Sequence, residues 1–240
     1  MTSPMRTIGL LGGTSWESTA DYYALLNRGA AERLGPLRQP PIVLHSVDFA
    51  ELAALQAADR WDVLAEQYAA ITHALVDAGA TVLGICANSM HLVADQVRAA
   101  AGESAALVHI VDATAEAVRR EGASRVALLG TAYTMEKPFY VEALRTRGLD
   151  VVVPAADERA ELQRIIYSEL TQGVVRPESR AYLLEVVRRC ADEGAEAALL
   201  ACTEFQMLVT PGAPDSALPL VDTTREHARA LLDAAIDGPA

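Results

Sequence analysis

Short runs of Val, Ile and Leu alternate along the chain with longer segments in which apolar residues recur at helical spacing. That is the pattern of parallel strands joined by crossover helices. It predicts strands at Ile8–Leu11, Ile42–Ser46, Val82–Cys86 and Leu107–Val111, then at Val126–Leu129, Val151–Pro154, Ala198–Ala201 and Leu218–Val221. Two capping boxes, Thr14-Ser15-Trp16-Glu17 and Thr223-Thr224-Arg225-Glu226, mark helix starts, and Gly35-Pro36, Gly79, Gly122, Gly148 and Gly194 are placed as helix stops.

The last four strands repeat the first four in order, and their flanking motifs repeat with them. Leu10-Leu11-Gly12-Gly13-Thr14 is echoed by Leu128-Leu129-Gly130-Thr131, and Val111-Asp112-Ala113-Thr114 by Val221-Asp222-Thr223-Thr224. The expected architecture is therefore an α/β protein of two pseudo-symmetric lobes, each a short, mainly parallel four-stranded sheet flanked by helices. Residues 1–112 with 224–240 form the first lobe in this reading, and 113–223 the second. Ligands collect at the carboxyl ends of parallel strands, where helix N-termini present free backbone N–H groups. An active site in the cleft between the lobes follows as an expectation.

The repeat also sets a register. Gly79-Ala80 recurs as Gly194-Ala195, an offset of 115 residues, which pairs Cys202 with Ala87 and not with Cys86. A slip of one residue turns a strand side chain to the opposite face of the sheet. Cys202, beside Thr203 at a strand end, is expected to reach the cleft, where a helix N-terminus can lower a thiol pKa toward the thiolate. It is a candidate base or nucleophile. By the same parity Cys86 points into the lobe core unless a bulge re-aims it, and it is the weaker candidate. Cys190 lies on a predicted helix and reads as structural. His91, one helical turn beyond Asn88-Ser89, is the histidine nearest the proposed cleft, with His45 at the second strand end behind it.

Composition narrows the classes. Twenty Lys and Arg against 32 Asp and Glu give a formal charge of −12, which repels polyphosphate and lacks the basic stripe of a nucleic-acid binder. Nucleic acid and anionic membranes are poor partners. No stretch approaches the ~18 apolar residues of a membrane span, and no apolar segment follows the first residues, so the expected compartment is the cytoplasm. Three cysteines without a Cys-x-x-Cys pair argue against a disulfide framework and a zinc cage. Gly12-Gly13 lacks the Gly-x-Gly-x-x-Gly spacing of a dinucleotide fingerprint, and no Gly-Lys-Ser/Thr follows it.

The blocks Ile8–Thr19, His45–Phe49, Asn88-Ser89-Met90-His91, Asp112-Ala113-Thr114, Leu128–Glu136, Ala156–Arg159 and Cys202-Thr203-Glu204 resemble the aspartate/glutamate racemase superfamily. Within it they look most like the broad-specificity amino-acid racemases that begin Gly-Leu-Leu-Gly-Gly-x-Ser-Trp-Glu-Ser-Thr. The resemblance implies two α/β lobes, usually in a homodimer, and chemistry that needs no cofactor and no metal. It also implies a two-cysteine mechanism, in which one thiolate removes the α-proton of a small carboxylate or amino-acid substrate and a thiol on the opposite face returns one. Carried over position by position, Asn88, Ser89, Thr131 and Thr203 would hold the carboxylate, and Thr14 and Gln56 would line the side-chain end. The family's first cysteine directly precedes the Asn, where this chain has Ala87. Aspartate-specific members use a basic residue soon after the second strand, yet Asp48–Asp59 contains neither Arg nor Lys; Arg159 or Arg164 are the available substitutes.

Three functions are consistent with these residues. The first is a cofactor-independent racemase or epimerase, slow or one-sided, with Cys202 on one face and Cys86 or a water on the other. The second is a single-thiol decarboxylase or isomerase of a small carboxylic acid. The third is a non-catalytic small-molecule binding protein that keeps the two-lobed cradle.

Overall fold

The computed structural model describes residues 5–237. It contains two four-stranded sheets, and every strand pairing within them is parallel. The first sheet has β1 (Ile8–Gly12), β2 (Ile42–Ser46), β3 (Val82–Ile85) and β4 (Ala106–Leu107) in the order β2-β1-β3-β4. The second has β5 (Arg125–Gly130), β6 (Asp150–Val152), β7 (Ala197–Ala201) and β8 (Leu220–Asp222) in the order β6-β5-β7-β8. The sequence repeat is thus a repeat of topology.

Helices α1 (Trp16–Leu34), α2 (Phe49–Ala57), α3 (Trp61–Asp77) and α4 (Ala94–Ala101) belong to the first half, and α5 (Ile110–Arg120) ends it. The second half carries α6 (Ala132–Glu136), α7 (Pro138–Arg145), α8 (Ala156–Ser168), α9 (Pro177–Asp192) and α10 (Thr223–Asp237). Single 3₁₀ turns follow β3 at Ser89–Val93 and β7 at Thr203–Met207. By contacts the described residues through Ile110, together with those from His227 onward, make one compact unit, and Val111–Glu226 make the other. Among the described residues no helix is long and apolar enough to cross a membrane.

In the first unit, strand parity sorts the core into two layers. Ile8, Leu10, Val82 and Cys86 pack with Tyr22 and Leu26 of α1 and with Ala228, Leu231, Leu232 and Ala235 of α10. Leu11, Leu83, Ile85 and Ala87 pack instead with Leu64, Tyr68, Ile71 and Leu75 of α3 and with Val97 of α4. α10 is therefore bound to the first unit by its apolar stripe, each fully buried leucine contributing roughly 1.5–3 kcal/mol.

Local chemistry departs from the sequence expectations at several ends. The strand predicted over Leu107–Val111 stops at Leu107, and α5 begins at Ile110, because the Ile110 N–H donates to His91 Nε2 at 3.2 Å instead of entering a ladder. The first helix is capped by Ser15, whose Oγ accepts from Ser18 N at 3.3 Å, while the Thr14 hydroxyl turns to the Tyr68 hydroxyl at 3.1 Å. At the head of α10 the cap is Asp222 and not Thr223: its Oδ1 accepts from Thr224 N and Arg225 N, both at 3.0 Å. Thr223 donates to Leu200 O at 3.0 Å. β6 and β8 are short, and each is displaced by one or two residues from its predicted span.

Gly13, just beyond β1, has φ +93°, and a Cβ built there would lie 2.3 Å from Val47 N and 2.4 Å from Val47 O. Only glycine fits, on both conformational and steric grounds. The turn lets the chain after β2 close against the end of β1, with Val47 N donating to Gly12 O at 3.0 Å.

Candidate functional site

Each unit presents its own set of small polar groups at strand carboxyl ends. In the first unit, β1 delivers Gly12, Gly13 and Thr14, while β3 delivers Ala87, Asn88 and Ser89. Thr19 Oγ1 accepts from Gly13 N at 2.8 Å and donates to Ser15 O at 3.1 Å, which locks the turn after β1. Asn88 is buried and Ser89 half-buried. Gln56 on α2 is buried, and its amide donates to Met90 Sδ at 3.3 Å. The structure thus ties α2 to the turn carrying Asn88 and Ser89. At the end of β2 a cavity of about 360 Å³ is lined by His45, Ser46, Asp48, Glu51 and Gln67, among others.

In the second unit, Thr131 follows β5 and Cys202-Thr203-Glu204 follow β7. Thr131 Oγ1 lies 3.3 Å from Thr134 Oγ1. The N-terminus of α6 is held by Gln163 of α8, whose Oε1 accepts from Ala132 N at 2.8 Å. Glu204 gathers its neighbours: Oε2 accepts from Cys202 Sγ at 3.0 Å and from Thr203 Oγ1 at 2.8 Å. Tyr167 of α8 stands near this group, its hydroxyl pushed up to about 12 by burial and by the potentials of Tyr133, Cys202 and Glu204.

These contacts correct the expectation for Cys202. Its pKa is raised well above the ordinary thiol value, first by burial and then by the Glu204 carboxylate that accepts its proton. The following turn is only five residues of 3₁₀ helix, too short to offset a neighbouring full negative charge. The resting group is a thiol, not a thiolate.

The other candidate thiol lies elsewhere. Cys86 is 0% exposed within the α1/α10 layer of the core, and burial raises its pKa far from the titratable range. Ala87, one residue on, packs in the opposite layer. No bulge re-aims Cys86, since β3 stays in register with β1 through Ile85 and Cys86 N donates to Leu11 O at 2.9 Å. Cys190 is buried on α9.

His91 is buried with both ring nitrogens on the backbone: Nδ1–H donates to Ala87 O at 2.9 Å and Nε2 accepts from Ile110 N. It holds structure and has no free nitrogen for a substrate. Arg159 binds Glu136 at 3.0 Å and Pro154 O at 2.7 Å, and Arg164 binds Glu161 at 2.7 Å and Glu169 at 2.9 Å. Both guanidiniums offered for an acidic substrate side chain are engaged. Among the described residues no group of three or more His, Cys, Asp and Glu side chains is placed to hold a metal ion.

Sequence reasoning singled out Cys202 and Thr203 but not the carboxylate that organises them. The signal was local, for Glu204 lies two residues from the thiol. Tyr167 lies near the group from a helix some forty residues earlier, and Gln163 of that helix bonds Tyr167 and Ala132 N, with no readable mark in the sequence.

The site residues thus sit at the strand ends of a duplicated, all-parallel α/β fold, Asn88-Ser89 after β3 and Cys202-Thr203-Glu204 after β7. The chain belongs to the Asp/Glu/hydantoin racemase family, whose model matches residues 11–231. It is similar to a solved structure from Yersinia pestis described as a candidate Asp/Glu racemase, at 40% identity and a TM-score of 0.89, covering 96% of this chain and 99% of that one. An aspartate racemase homologue from Pyrococcus horikoshii OT3 is 32% identical with a TM-score of 0.84, again over 96% and 99% of the two chains. The maleate isomerase Iso of Pseudomonas putida S16 shares the fold at 18% identity and a TM-score of 0.56, over 97% and 93%. Family membership supports an isomerase.

Proposed function

We propose that the protein is a cofactor-independent amino-acid racemase or epimerase in which a single thiol, Cys202, works through Glu204. One observation carries this reading: the Sγ–Oε2 hydrogen bond of 3.0 Å. Transfer of the thiol proton to Glu204 makes a thiolate and a neutral carboxylic acid, and the thiolate can then accept the α-proton of the substrate. In the reverse sense the thiol gives its proton to the substrate carbanion and is reprotonated from Glu204. Each step is general acid–base catalysis by a positioned pair.

Asn88, Ser89, Thr131 and Thr203 are the proposed donors to the substrate carboxylate. Thr14 and Gln56 are assigned to its side-chain end. In this reading the opposite face lacks a thiol, because the matching position is Ala87 and Cys86 lies within the core. Water serves that face, and turnover is slow and direction-biased, since loss of one positioned acid or base costs ~10²–10⁴-fold. A homodimer is part of the proposal on the family resemblance, and the cytoplasm remains the proposed compartment.

The test is α-proton exchange in heavy water across a panel of both enantiomers. Deuterium is expected to enter one enantiomer faster than the other, and Cys202→Ala is expected to abolish the faster exchange, leaving at most the slow, water-served one. Equal, rapid exchange from both enantiomers contradicts the one-thiol reading. The same thiol, delivering a proton to one face only, also suits a decarboxylase or isomerase of a small carboxylic acid. Carbon dioxide release from malonate-type acids without α-proton exchange from any amino acid decides for that alternative.

A further inference from the structure

The 115-residue offset that pairs Ala87 with Cys202 also pairs His91 with Gln206, since 206 − 91 = 115. Each residue sits on the 3₁₀ turn that follows the third strand of its half, Ser89–Val93 in one and Thr203–Met207 in the other. Their side chains differ in chemistry, yet each reaches the start of the helix beyond the fourth strand of its half.

In the first unit, His91 Nε2 accepts from the N–H of Ile110, the first residue of α5, at 3.2 Å. That bond fixes the tautomer, leaving the proton on Nδ1, which donates to Ala87 O at 2.9 Å. The ring is packed edge-on against His109 and His227, at centroid distances of 4.6 and 5.5 Å. In the second unit, Gln206 Nε2 donates to Asp222 Oδ1 at 2.9 Å, and the same oxygen accepts from Thr224 N and Arg225 N at the head of α10. In both halves one side chain joins the turn beyond the third strand to the start of the helix beyond the fourth.

We propose that His91 and Gln206 are matched positioning residues, each clamping its 3₁₀ turn to the next helix and so fixing Ala87–Ser89 in one half and Cys202–Glu204 in the other. The inference rests on the function proposed above, because those turns carry the assigned carboxylate donors and the thiol. A duplicated ancestor explains why one clamp occurs twice. Divergence explains why it is an imidazole between two backbone groups in one copy and an amide on a capping carboxylate in the other. The two clamps hold different machinery, so their loss has different kinetic signatures: displaced donors weaken binding, whereas a displaced thiol slows the chemical step.

The test uses the whole protein and the variants His91→Leu, His91→Asn and Gln206→Leu. Backbone amide exchange and α-proton exchange are read on each, alongside the thermal midpoint. His91→Leu is expected to speed amide exchange at residues 87–89 and to raise KM with a smaller change in kcat. Gln206→Leu is expected to speed it at residues 202–204 and to lower kcat by ~10–10²-fold, the scale of an ångström-sized misplacement. His91→Asn keeps an amide that can reach the carbonyl four residues back, as Asn27 does to Tyr23 O at 2.7 Å, but it is too short to accept from the Ile110 N–H as well. It is therefore expected to behave like His91→Leu; full recovery by it would show that the bond to Ala87 O and not the link to α5 holds the turn, and would overturn the clamp. Unchanged amide exchange at both turns overturns the clamp. So does a fall in kcat and rise in KM that are alike in His91→Leu and Gln206→Leu and merely follow the thermal midpoint. If the wild-type protein exchanges no α-proton from any amino acid, the reaction reading falls, and the amide exchange alone decides the clamp.

Discussion

Cys202 donates its thiol proton to the carboxylate of Glu204, Sγ to Oε2, at 3.0 Å. Cys202 is buried and Glu204 half-buried at the end of β7, and Thr203 donates to the same oxygen at 2.8 Å. Burial first, and then the Glu204 carboxylate that accepts its proton, raise the thiol pKa, so the sulfur rests protonated. In the reaction proposed above, the ionisation of Cys202 is an internal proton shift of one hydrogen-bond length.

Glu204→Gln removes the acceptor while keeping the shape. The apparent pKa of Cys202 is expected to fall toward the ordinary thiol range, though burial keeps it above that range, and α-proton exchange is expected to slow by ~10²-fold or more. Thiolate absorbance against pH, with Cys202→Ser subtracted, gives the pKa, and heavy-water exchange gives the rate. A variant as active as the wild type would remove Glu204 from the mechanism.

Ala87→Cys restores a thiol at the position equivalent to Cys202. Its side chain replaces a methyl on the face of β3 opposite to Cys86, and because Ala87 is buried in the α3/α4 layer the added sulfur must be accommodated there, so the thermal midpoint is read alongside. The expected result is faster deuterium entry into the slower enantiomer, by ~10²-fold, with the faster enantiomer little changed. An unchanged ratio of the two rates shows that the second face is not served from residue 87.

Cys86→Ala is the complementary experiment. The thiol is wholly enclosed by Ile8, Leu10, Tyr22 and Leu231, among others, so its loss is one of packing. Unfolding free energy is expected to fall by about 1 kcal/mol, and α-proton exchange to stay within twofold. A large loss of exchange with the fold intact would place this sulfur in the chemistry after all.

Much of this arrangement was legible in the chain before its structure. Gly-Ala at 79 and 194 fixed the repeat and, through strand parity, the opposite fates of Cys86 and Ala87. The two sheets follow from eight short apolar runs separated by helix-length segments, whereas the order of strands within each sheet is a finding of the structure. Strand ends were less legible: β4 stops early because His91 captures the Ile110 amide, a contact between residues nineteen apart that no local pattern announces. The cap of α10 was misplaced by one residue because Thr223 and Asp222 are both good caps, and only the bond from Thr223 to Leu200 O decides between them. The Cys202 pKa was misread because a helix N-terminus is visible in sequence as a stabiliser of thiolate, whereas burial is not.

The histidine cluster predicts how the fold responds to acid. His227 Nδ1 accepts from the Tyr22 hydroxyl at 2.7 Å and Nε2–H donates to Val108 O at 2.8 Å, with His109 and His91 as its titratable neighbours and Arg98 also acting on His91. Burial is the largest cause lowering its pKa to about 4, and burial drives His91 well below its ordinary value too. A depressed histidine pKa means that the unfolded chain takes up protons the folded one refuses. Stability is therefore complete above pH ~6.5 and declines as pH falls toward 4. For His227 alone the span of ~2.5 units corresponds to about 3 kcal/mol at most. Asp222 acts in the opposite sense: burial lifts its pKa to about 6 despite bonds from Thr224 N and Arg225 N, with Arg225 and Glu226 close by. Its contribution is present at low pH and lost as pH rises through 6, so it offsets part of the histidine loss between 6 and 4. Two histidines outweigh one carboxyl, and the net expectation is acid destabilisation. Urea unfolding at pH 7, 6 and 5 measures the slope directly. His227→Gln, which keeps a donor for Val108 O but cannot titrate, is expected to flatten it; a slope parallel to that of the wild type would show that His227 takes up its proton without unfolding the protein.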